Sequence, residues 1–372
     1  MTVDVHLAVP AANGLGMRNV LYLWSLANPA QKRLVGTLRL LAATGTQANG
    51  VSLTYAPGWL TNGFALSEDL PLQPGERIPT ERDSAVGAVD DARPDHWGER
   101  VSRHLLNQPR LSTLDYLFYA GDERFGALGV SLDSEHYLPF ETNALPTIDD
   151  VPAIFRLVRA IENRQPIAQH QMRLIAPGAT LGGARPKALV AFGKRAWVIK
   201  FAEHGDTLDS PAVEHAAMTL ARRVGINSCD TRLLSFTQAQ QKCHALLVKR
   251  FDRVGVKRRH ALSARVALNA EGLYELAPAF DVLPSGLGLG YQQFRVGNRG
   301  AEFSVENACS EASAFRLTRP KARAIAAQIA QIVGGWQLHF KRVGVVPKDI
   351  AQLSRTIDGP RLLTQRSALL KT

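Results

Sequence analysis

The feature that most constrains the fold is a glycine-rich stretch that leads into a predicted β-hairpin, GATLGGARPKALVAFGKRAWVIK at residues 178–200. Gly182 and Gly183 allow the backbone to take positive φ angles and to come close to a ligand, which a residue with a β-carbon does only at a cost. A turn of this kind at the start of a hairpin is a candidate binding loop for an anion.

The apolar pattern after the glycines predicts two strands, at residues 188–192 and 196–201, joined by a tight turn at Gly193. Lys200 falls within the second strand, where a lone ammonium among apolar neighbours is costly unless it meets an anion. A nucleotide triphosphate would explain both features, with backbone amides and the lysine on its phosphates. A hairpin with a mobile surface loop and an edge lysine explains them equally well, so both interpretations stay open at this point.

The spacing excludes two better-known phosphate motifs. The Walker A loop requires Gly-Lys-Ser/Thr at the start of a helix, whereas Gly183 is followed by Ala184-Arg185 and then by a predicted strand. The dinucleotide fingerprint also requires a helix after its glycines. A loop that covers the phosphates from a β-hairpin is typical of protein kinases, although the usual kinase glycine spacing is missing.

Length and composition are those of a globular protein with two or three domains, since the chain has 372 residues, 45% of them hydrophobic and 21% charged. The net charge of +11 favours an acidic partner such as nucleic acid, an acidic protein or a nucleotide. Basic residues concentrate at 249–265, for which a solvated helix face is the alternative explanation. The first residues do not resemble a signal peptide, no membrane span is predicted, and three widely spaced cysteines fit neither a disulfide framework nor a zinc site. We therefore expect a cytoplasmic protein.

Three further features carry possible chemistry. Glu214 is predicted in the first turn of a helix, where a carboxylate favours the helix dipole, but it could also pair with Lys200 as in kinases. The strand that runs into KRFDR places Lys249–Phe251 where a kinase linker bonds adenine. Asp281 lies in an apolar, strand-like run, where it would bind a cation or form a turn before Pro284. By contrast, the cluster Asp95-His96-Trp97 is better explained by a capped helix with a core tryptophan than by catalysis.

The loop, strand lysine, helix glutamate, KRFDR linker and LAPAFDV segment, in that order, resemble the HipA family of bacterial serine/threonine kinases, which act as toxins of type II toxin–antitoxin pairs. The resemblance covers most of the chain. The most specific match is GGARPKALV at 182–190, and VGTLRL, PDHWGERV and GDERFGALGV resemble signatures of the family's N-terminal domain.

The resemblance implies an α+β, HipA-like protein-kinase fold. It divides the chain into an N-terminal α/β domain at 1–145, a kinase N-lobe with ATP loop and linker at 146–252, and a shortened, mostly helical C-lobe at 253–372. It also implies ATP and Mg²⁺ as cofactors and an antitoxin of the HipB type as partner, with operator DNA reached through it. The protein substrate is not indicated.

The resemblance further assigns residues. Those implied to bind ATP are Gly182, Gly183, Ala184, Arg185, Pro186, Lys187, Lys200, Lys249, Arg250 and Phe251. Glu214 is the implied partner of Lys200, and Asp281 is the implied metal ligand. Thr180 stands where the family carries an autophosphorylated serine.

One departure from the family concerns catalysis. A kinase needs an aspartate that accepts the substrate proton and an asparagine soon after it, and in the family both lie between the linker and the magnesium aspartate. Here that segment, 253–280, has only 28 residues, with Asn269, Glu271 and Glu275 but no aspartate. The order is also wrong, because Asn269 precedes both glutamates.

This departure predicts an internal deletion. We therefore expect a HipA-type kinase fold whose phosphotransfer from ATP to a protein hydroxyl is absent or severely impaired, with apolar surface exposed in the C-lobe. The alternatives are a catalytically inactive pseudokinase that acts as an antitoxin- or DNA-binding module, and a relic without function.

Overall fold

The computed structural model describes residues 19–42, 49–108, 110–176, 183–262, 266–268, 273–284 and 295–371. Within these residues the chain divides into two compact units. The first comprises Met1–His204, Phe236–Cys243 and Leu247–Ala277, and the second comprises Gly205–Ser235, His244–Leu246 and Pro278–Thr372. The three-domain division stays a prediction.

The first unit begins with a six-stranded sheet of order β4-β3-β2-β1-β6, in which β5 pairs with β3. The strands are β1 (Val20–Ser25), β2 (Arg33–Leu41), β3 (Gly50–Tyr55), β4 (Glu76–Arg77), β5 (Ser84–Ala85) and β6 (Leu128–Ser131). All pairs are antiparallel except β3 with β5. The side chains of β1–β3 that are fully buried in the core on this sheet are Leu21, Leu23, Val35, Leu38, Val51 and Leu53. The sequence predicts strands at 35–41 and 50–55, and both are confirmed.

Four helices belong to this part of the chain. They are α1 (Pro57–Asn62), α2 (Gly87–Asp91), α3 (His96–Leu105) and α4 (Thr113–Tyr119). Asp95 caps α3 by accepting from the Gly98 amide at 2.9 Å, as predicted. The sequence of GWLTN together with LPLQPGERIP predicts a proline-broken connection. GWLTN is instead helical, because the fixed φ angle of Pro57 suits a first helical turn.

The glycine-rich loop is followed by the expected hairpin. A short 3-10 turn, Ile148–Asp150, precedes helix α5 (Val151–Glu162), and a second one, Gln169–Leu174, follows it. The hairpin consists of β7 (Lys187–Phe192) and β8 (Arg195–Phe201), with Gly193 at φ +63° in the turn. Phe155 of α5 packs on Phe201 at a ring distance of 5.7 Å. Both predicted strands and the turn are confirmed.

Two longer strands complete the sheet that starts with the hairpin. After helix α6 (Ser210–Arg223) come β9 (Thr231–Gln238) and β10 (Gln241–Lys249), and the sheet has the order β7-β8-β10-β9. The sequence predicts that Asp209 or Ser210 caps α6, and Asp209 caps it by accepting from the Ala212 amide.

The basic segment after β10 is not helical where it is described. It forms the short strands β11 (Arg253–Val254), β12 (Lys257–Arg258), β13 (Ala261–Leu262), β14 (Val266–Leu268) and β15 (Tyr274–Leu276). The sequence HALSARVAL at 260–268 predicts the start of a helix. For the described residues this prediction is wrong, and so is the solvated helix face suggested for 249–265. The His260 ring and the Tyr274 hydroxyl both bond the Leu66 carbonyl, each at 2.8 Å, and these long-range contacts favour extended strands over a local helix.

The second unit is mostly helical. Besides α6 it contains α7 (Val305–Ser310), α8 (Arg319–Val333), α9 (Trp336–Arg342), α10 (Pro347–Ile357) and α11 (Pro360–Leu370), with a 3-10 turn at Ala312–Phe315. Its core joins α6 to Trp336 and Phe340 of α9 and to Leu353 of α10. The predicted helical tail is confirmed. Among all described helices, none has the length and apolar character needed to cross a bilayer.

Candidate functional site: the loop before β7 and the linker after β10

The predicted ATP loop is described from Gly183 onward, so Gly182 and the proposed modification site Thr180 lie outside the described residues. Gly183 has a φ of +107°, which is the positive φ that the sequence predicted and that only glycine adopts readily. Ala184 is exposed, Arg185 is half-buried, and Pro186 is buried. The loop thus presents its first residues to solvent and buries its end.

Lys187, at the end of the loop, contacts the start of α3 through both its side-chain ammonium and its backbone carbonyl. Its Nζ donates to Asp95 Oδ2 at 2.7 Å, in a pair whose side chains are 3% and 11% exposed, and also to the Gly183 carbonyl at 3.2 Å. The Trp97 indole donates to the Lys187 carbonyl at 2.7 Å. Sequence reasoning explained Asp95 and Trp97 as a helix cap and a core residue. Both roles hold, but the contact with the loop was missed.

Lys187 and Lys200 lie directly opposite each other in the β7–β8 ladder. Phe201 donates to the Pro186 carbonyl at 3.1 Å, so the Lys187–Lys200 pair falls at the neighbouring, non-hydrogen-bonded position, where opposing side chains stand closest and on one face. Two like charges at such a position repel each other. Because Asp95 pairs with Lys187, the ladder places the ammonium of Lys200 beside one whose charge is already compensated.

The proposed kinase ion pair stays a prediction. Lys200 is half-buried in β8 of the first unit, and Glu214 is 5% exposed in α6 of the second unit. The sequence predicts Glu214 in the first turn of its helix. It lies beyond that turn, because α6 begins at Ser210. The simple dipole explanation for this carboxylate is therefore wrong. Its burial instead requires partners for the charge.

The predicted adenine linker contains a buried polar network. Lys249 ends β10, the ring of Phe251 packs edge-on against Phe125, and Arg250 is 4% exposed. The Arg250 guanidinium donates to Asp252 at 2.7 and 2.9 Å and to the carbonyls of Glu123 and Arg124, each at 2.9 Å. This side chain is a structural anchor, so a nucleotide would meet backbone groups of the linker, as the sequence interpretation assumed.

Asp252 is the centre of this network. Besides Arg250 it accepts from Arg253 at 2.6 Å and from the Gly126 amide at 2.9 Å. Burial alone would raise the pKa of Asp252, but the charges of Arg250 and Arg253 and these hydrogen bonds lower it to about 2. From the sequence, Asp252 is recognised only as part of the KRFDR motif. The signal that could have revealed its role is the position of Asp252 between Arg250 and Arg253, just after an apolar strand.

Asp281 differs from the sequence interpretation. It was predicted inside a strand-like, apolar run, but the structure has it exposed and without regular secondary structure. The apolar neighbours are explained by Phe280, which is buried. An exposed single carboxylate still suits Mg²⁺, which binds one or two carboxylates together with nucleotide phosphates. In the described part of the chain, no group of three or more Cys, His, Asp or Glu side chains is arranged to hold a metal. None of the three cysteines, at 229, 243 and 309, is in a disulfide bond.

Comparison with known protein families identifies the chain. An α+β architecture with a glycine-rich loop before a hairpin, a strand lysine and a following pair of longer strands is that of a kinase-like fold. The HipA N-terminal domain matches residues 30–131, and the HipA-like C-terminal domain matches residues 179–273. Together these matches span more than half of the sequence, and the chain belongs to the HipA family. The second match ends before Asp281.

One solved structure with the same fold comes from Shewanella oneidensis MR-1, where HipA is in a toxin–antitoxin complex with HipB and operator DNA. It is 15% identical to this chain, with a TM-score of 0.57, and the alignment covers 94% of this chain and 96% of that one. The comparison with curated protein sequences gives no match.

Proposed function

We propose that the chain is a HipA-type toxin homologue that binds ATP at the loop before β7 but transfers its phosphoryl group poorly or not at all. The observation that carries the proposal is the ladder pair Lys187–Lys200 beside the positive-φ Gly183. A loop with an exposed residue, Ala184, next to a strand that carries Lys200 suits a polyphosphate.

In this proposal Lys200 attracts the phosphates, Glu214 orients Lys200, and the Lys249–Phe251 backbone receives adenine. Mg²⁺ would neutralise charge on the phosphates, and Asp281 would hold it. The segment 253–280 contains no aspartate, and its described parts form short strands that leave no helical support for a catalytic loop. Phosphoryl transfer depends on the positioning of the acceptor hydroxyl, so the loss of this segment reduces transfer more than it reduces nucleotide binding.

Nucleotide binding is tested by the shift in melting temperature with MgATP, measured for the intact chain and for Lys200→Ala. The matched control is Lys194→Ala, because Lys194 is an exposed lysine in the turn of the same hairpin. We expect a shift in the wild type and in Lys194→Ala and its loss in Lys200→Ala. A flat response in all three would refute ATP binding.

Transfer is tested with radiolabelled ATP, with and without an acceptor protein. Labelling comparable to that of a catalytically intact relative would contradict the proposed impairment.

The second candidate is a binding module for an antitoxin of the HipB type, favoured by the missing aspartate and by the HipB complex of the Shewanella structure. Operator DNA would be reached through the antitoxin, and the net charge of +11 suits contact with phosphates. Gel shifts with and without the antitoxin over a salt series test this. The absence of a complex at low salt would rule it out.

A further inference from the structure

Lys187 is an unusual phosphate ligand because its charge is already engaged. Two of its three ammonium hydrogens are accounted for by Asp95 Oδ2 at 2.7 Å and by the Gly183 carbonyl at 3.2 Å. The side chain is 3% exposed. A buried ammonium that left Asp95 for a phosphate would abandon a carboxylate that is itself largely buried.

The bond to Gly183 fixes a peptide plane of the loop. The peptide between Gly183 and Ala184 is planar and trans, so its N–H points opposite to its carbonyl. Because Lys187 holds the carbonyl, the Ala184 amide is directed away from Lys187, and Ala184 is exposed. An amide held in this way is a ready donor to an anion.

Asp95 also reduces the repulsion between Lys187 and Lys200 in the ladder. Lys187 and Lys200 face each other across β7 and β8, and two uncompensated ammonium groups at that position would disfavour the hairpin. The carboxylate of Asp95 neutralises Lys187, so the charge of Lys200 can be kept beside it. Trp97 strengthens the arrangement by binding the Lys187 carbonyl at 2.7 Å.

Together these contacts point to a role beyond capping: we infer that Asp95 is a positioning residue for the nucleotide loop, acting through Lys187 on the Ala184 amide. Lys187 is then an internal strut and not a direct phosphate ligand. This inference rests on the proposed ATP binding and adds a part of the matched HipA N-terminal domain, α3, to the determinants of that site.

The inference is tested by a double-mutant cycle on MgATP affinity, measured by calorimetry on the intact chain. Asp95→Asn removes the charge but keeps a good helix cap, and Lys187→Met removes the ammonium. We expect each to weaken MgATP binding by about tenfold or more, as for loss of a charge-assisted bond, and the double variant to be no weaker than either single one. Lys194→Met, the same change at an exposed site of the hairpin, is expected to bind as the wild type does.

Two outcomes would overturn the inference. Either Asp95→Asn binds MgATP as tightly as the wild type, or the two losses add, which would mean that Lys187 contacts the phosphates itself.

A second measurement separates this failure from a failure of the proposed function. Hydrogen exchange of a peptide that covers 183–187 reports the loop without nucleotide. We expect faster exchange in Asp95→Asn than in Lys194→Met. If the wild type does not bind MgATP, the proposed function is wrong. If the two variants also exchange at equal rates, the proposed positioning of the loop by Asp95 and Lys187 is wrong as well.

Discussion

Arg250 and Asp252 form an ion pair of 2.7 Å whose side chains are 2% and 0% exposed. It joins the linker after β10 to the loop between α4 and β6, because Asp252 also accepts from the Gly126 amide and Arg250 also donates to the Glu123 carbonyl. Buried charges are tolerated only where every one of them has partners, and here the partners come from segments more than a hundred residues apart in the sequence.

Replacing Asp252 with Asn is therefore expected to destabilise the protein strongly. The change leaves the buried Arg250 and the half-buried Arg253 with the partly exposed Glu123 as their remaining carboxylate partner, and loss of one member of a buried pair typically costs about 3–5 kcal/mol. Urea unfolding followed by circular dichroism measures the free energy of unfolding. Asp230→Asn is the control, because its pair with Arg222 is largely exposed and such pairs contribute about 1 kcal/mol or less. Equal losses in the two variants would contradict a central role for Asp252.

The same carboxylate makes stability depend on pH at the acid end. Its pKa is lowered to about 2 in the folded protein from an ordinary value of 3.8, because the charges of Arg250 and Arg253 outweigh its burial. The unfolded state thus binds the proton first, and the stabilisation is present above about pH 4 and lost as the pH falls towards 2. We expect a steeper acid loss of stability in the wild type than in Asp252→Asn. Parallel curves would be the contrary result.

One buried histidine, His339, and one half-buried histidine, His215, predict a second loss of stability closer to neutral pH. His339 accepts from Arg223 at Nδ1 at 3.1 Å, so its Nε2–H donates to Thr219, and His215 Nδ1 lies 2.9 Å from Thr231 Oγ1. Burial lowers the pKa of both rings, and nearby positive charges lower it further. Because the unfolded state takes up these protons first, stability is expected to fall as the pH drops below about 6.5.

This loss is measured by urea unfolding at pH values from 7.5 to 5. His339→Gln, which cannot be protonated, is expected to show a weaker loss than the wild type. His136→Gln is the control, since the His136 side chain is 80% exposed, and it should follow the wild-type curve. A His339→Gln curve that keeps the full acid slope would show that other groups cause it.

The turn of the lysine hairpin offers a test of backbone geometry alone. Gly193 has a φ of +63°, and within the described residues no atom lies within 4 Å of the place where a β-carbon would stand. Gly193→Ala should therefore cost only the left-handed conformation, about 1–2 kcal/mol. Gly193→Asn should cost less, because asparagine tolerates that region. Thermal unfolding of both variants checks this order, and an alanine variant as stable as the wild type would exclude a strained turn.

Apolar side chains are exposed in and beside the short strands between the linker and Asp281. Val256, Leu273 and Leu276 are 82%, 65% and 79% exposed. Leu276→Gln is expected to reduce self-association in light scattering with concentration, while the free energy of unfolding changes by no more than about 0.5 kcal/mol. Leu138→Gln, at a half-exposed leucine elsewhere in the first unit, serves as the control and should leave self-association unchanged. Equal self-association of the two variants would show that the exposed side chain of Leu276 does not contribute to self-association.

Local signals predicted much of the fold because they need no distant partner. The strand alternation over 187–201, the Asp95 cap and the Asp209 cap are all set by neighbours within a few residues, and the structure has each of them. The predicted helix at 260–268 failed because His260 and Tyr274 bond a carbonyl about two hundred residues away, at separations of 194 and 208 residues. Periodicity does not contain such a contact.

By itself the sequence determined the family, the hairpin that presents Lys200, and the missing aspartate between the linker and Asp281, since motif order and residue counts need no coordinates. Only the tertiary structure decided that Asp95 holds Lys187, that Asp252 gathers two arginines, and that Asp281 is exposed. The physical reason is that the energy of a charge depends on which groups surround it in space, and those groups come from distant parts of the chain.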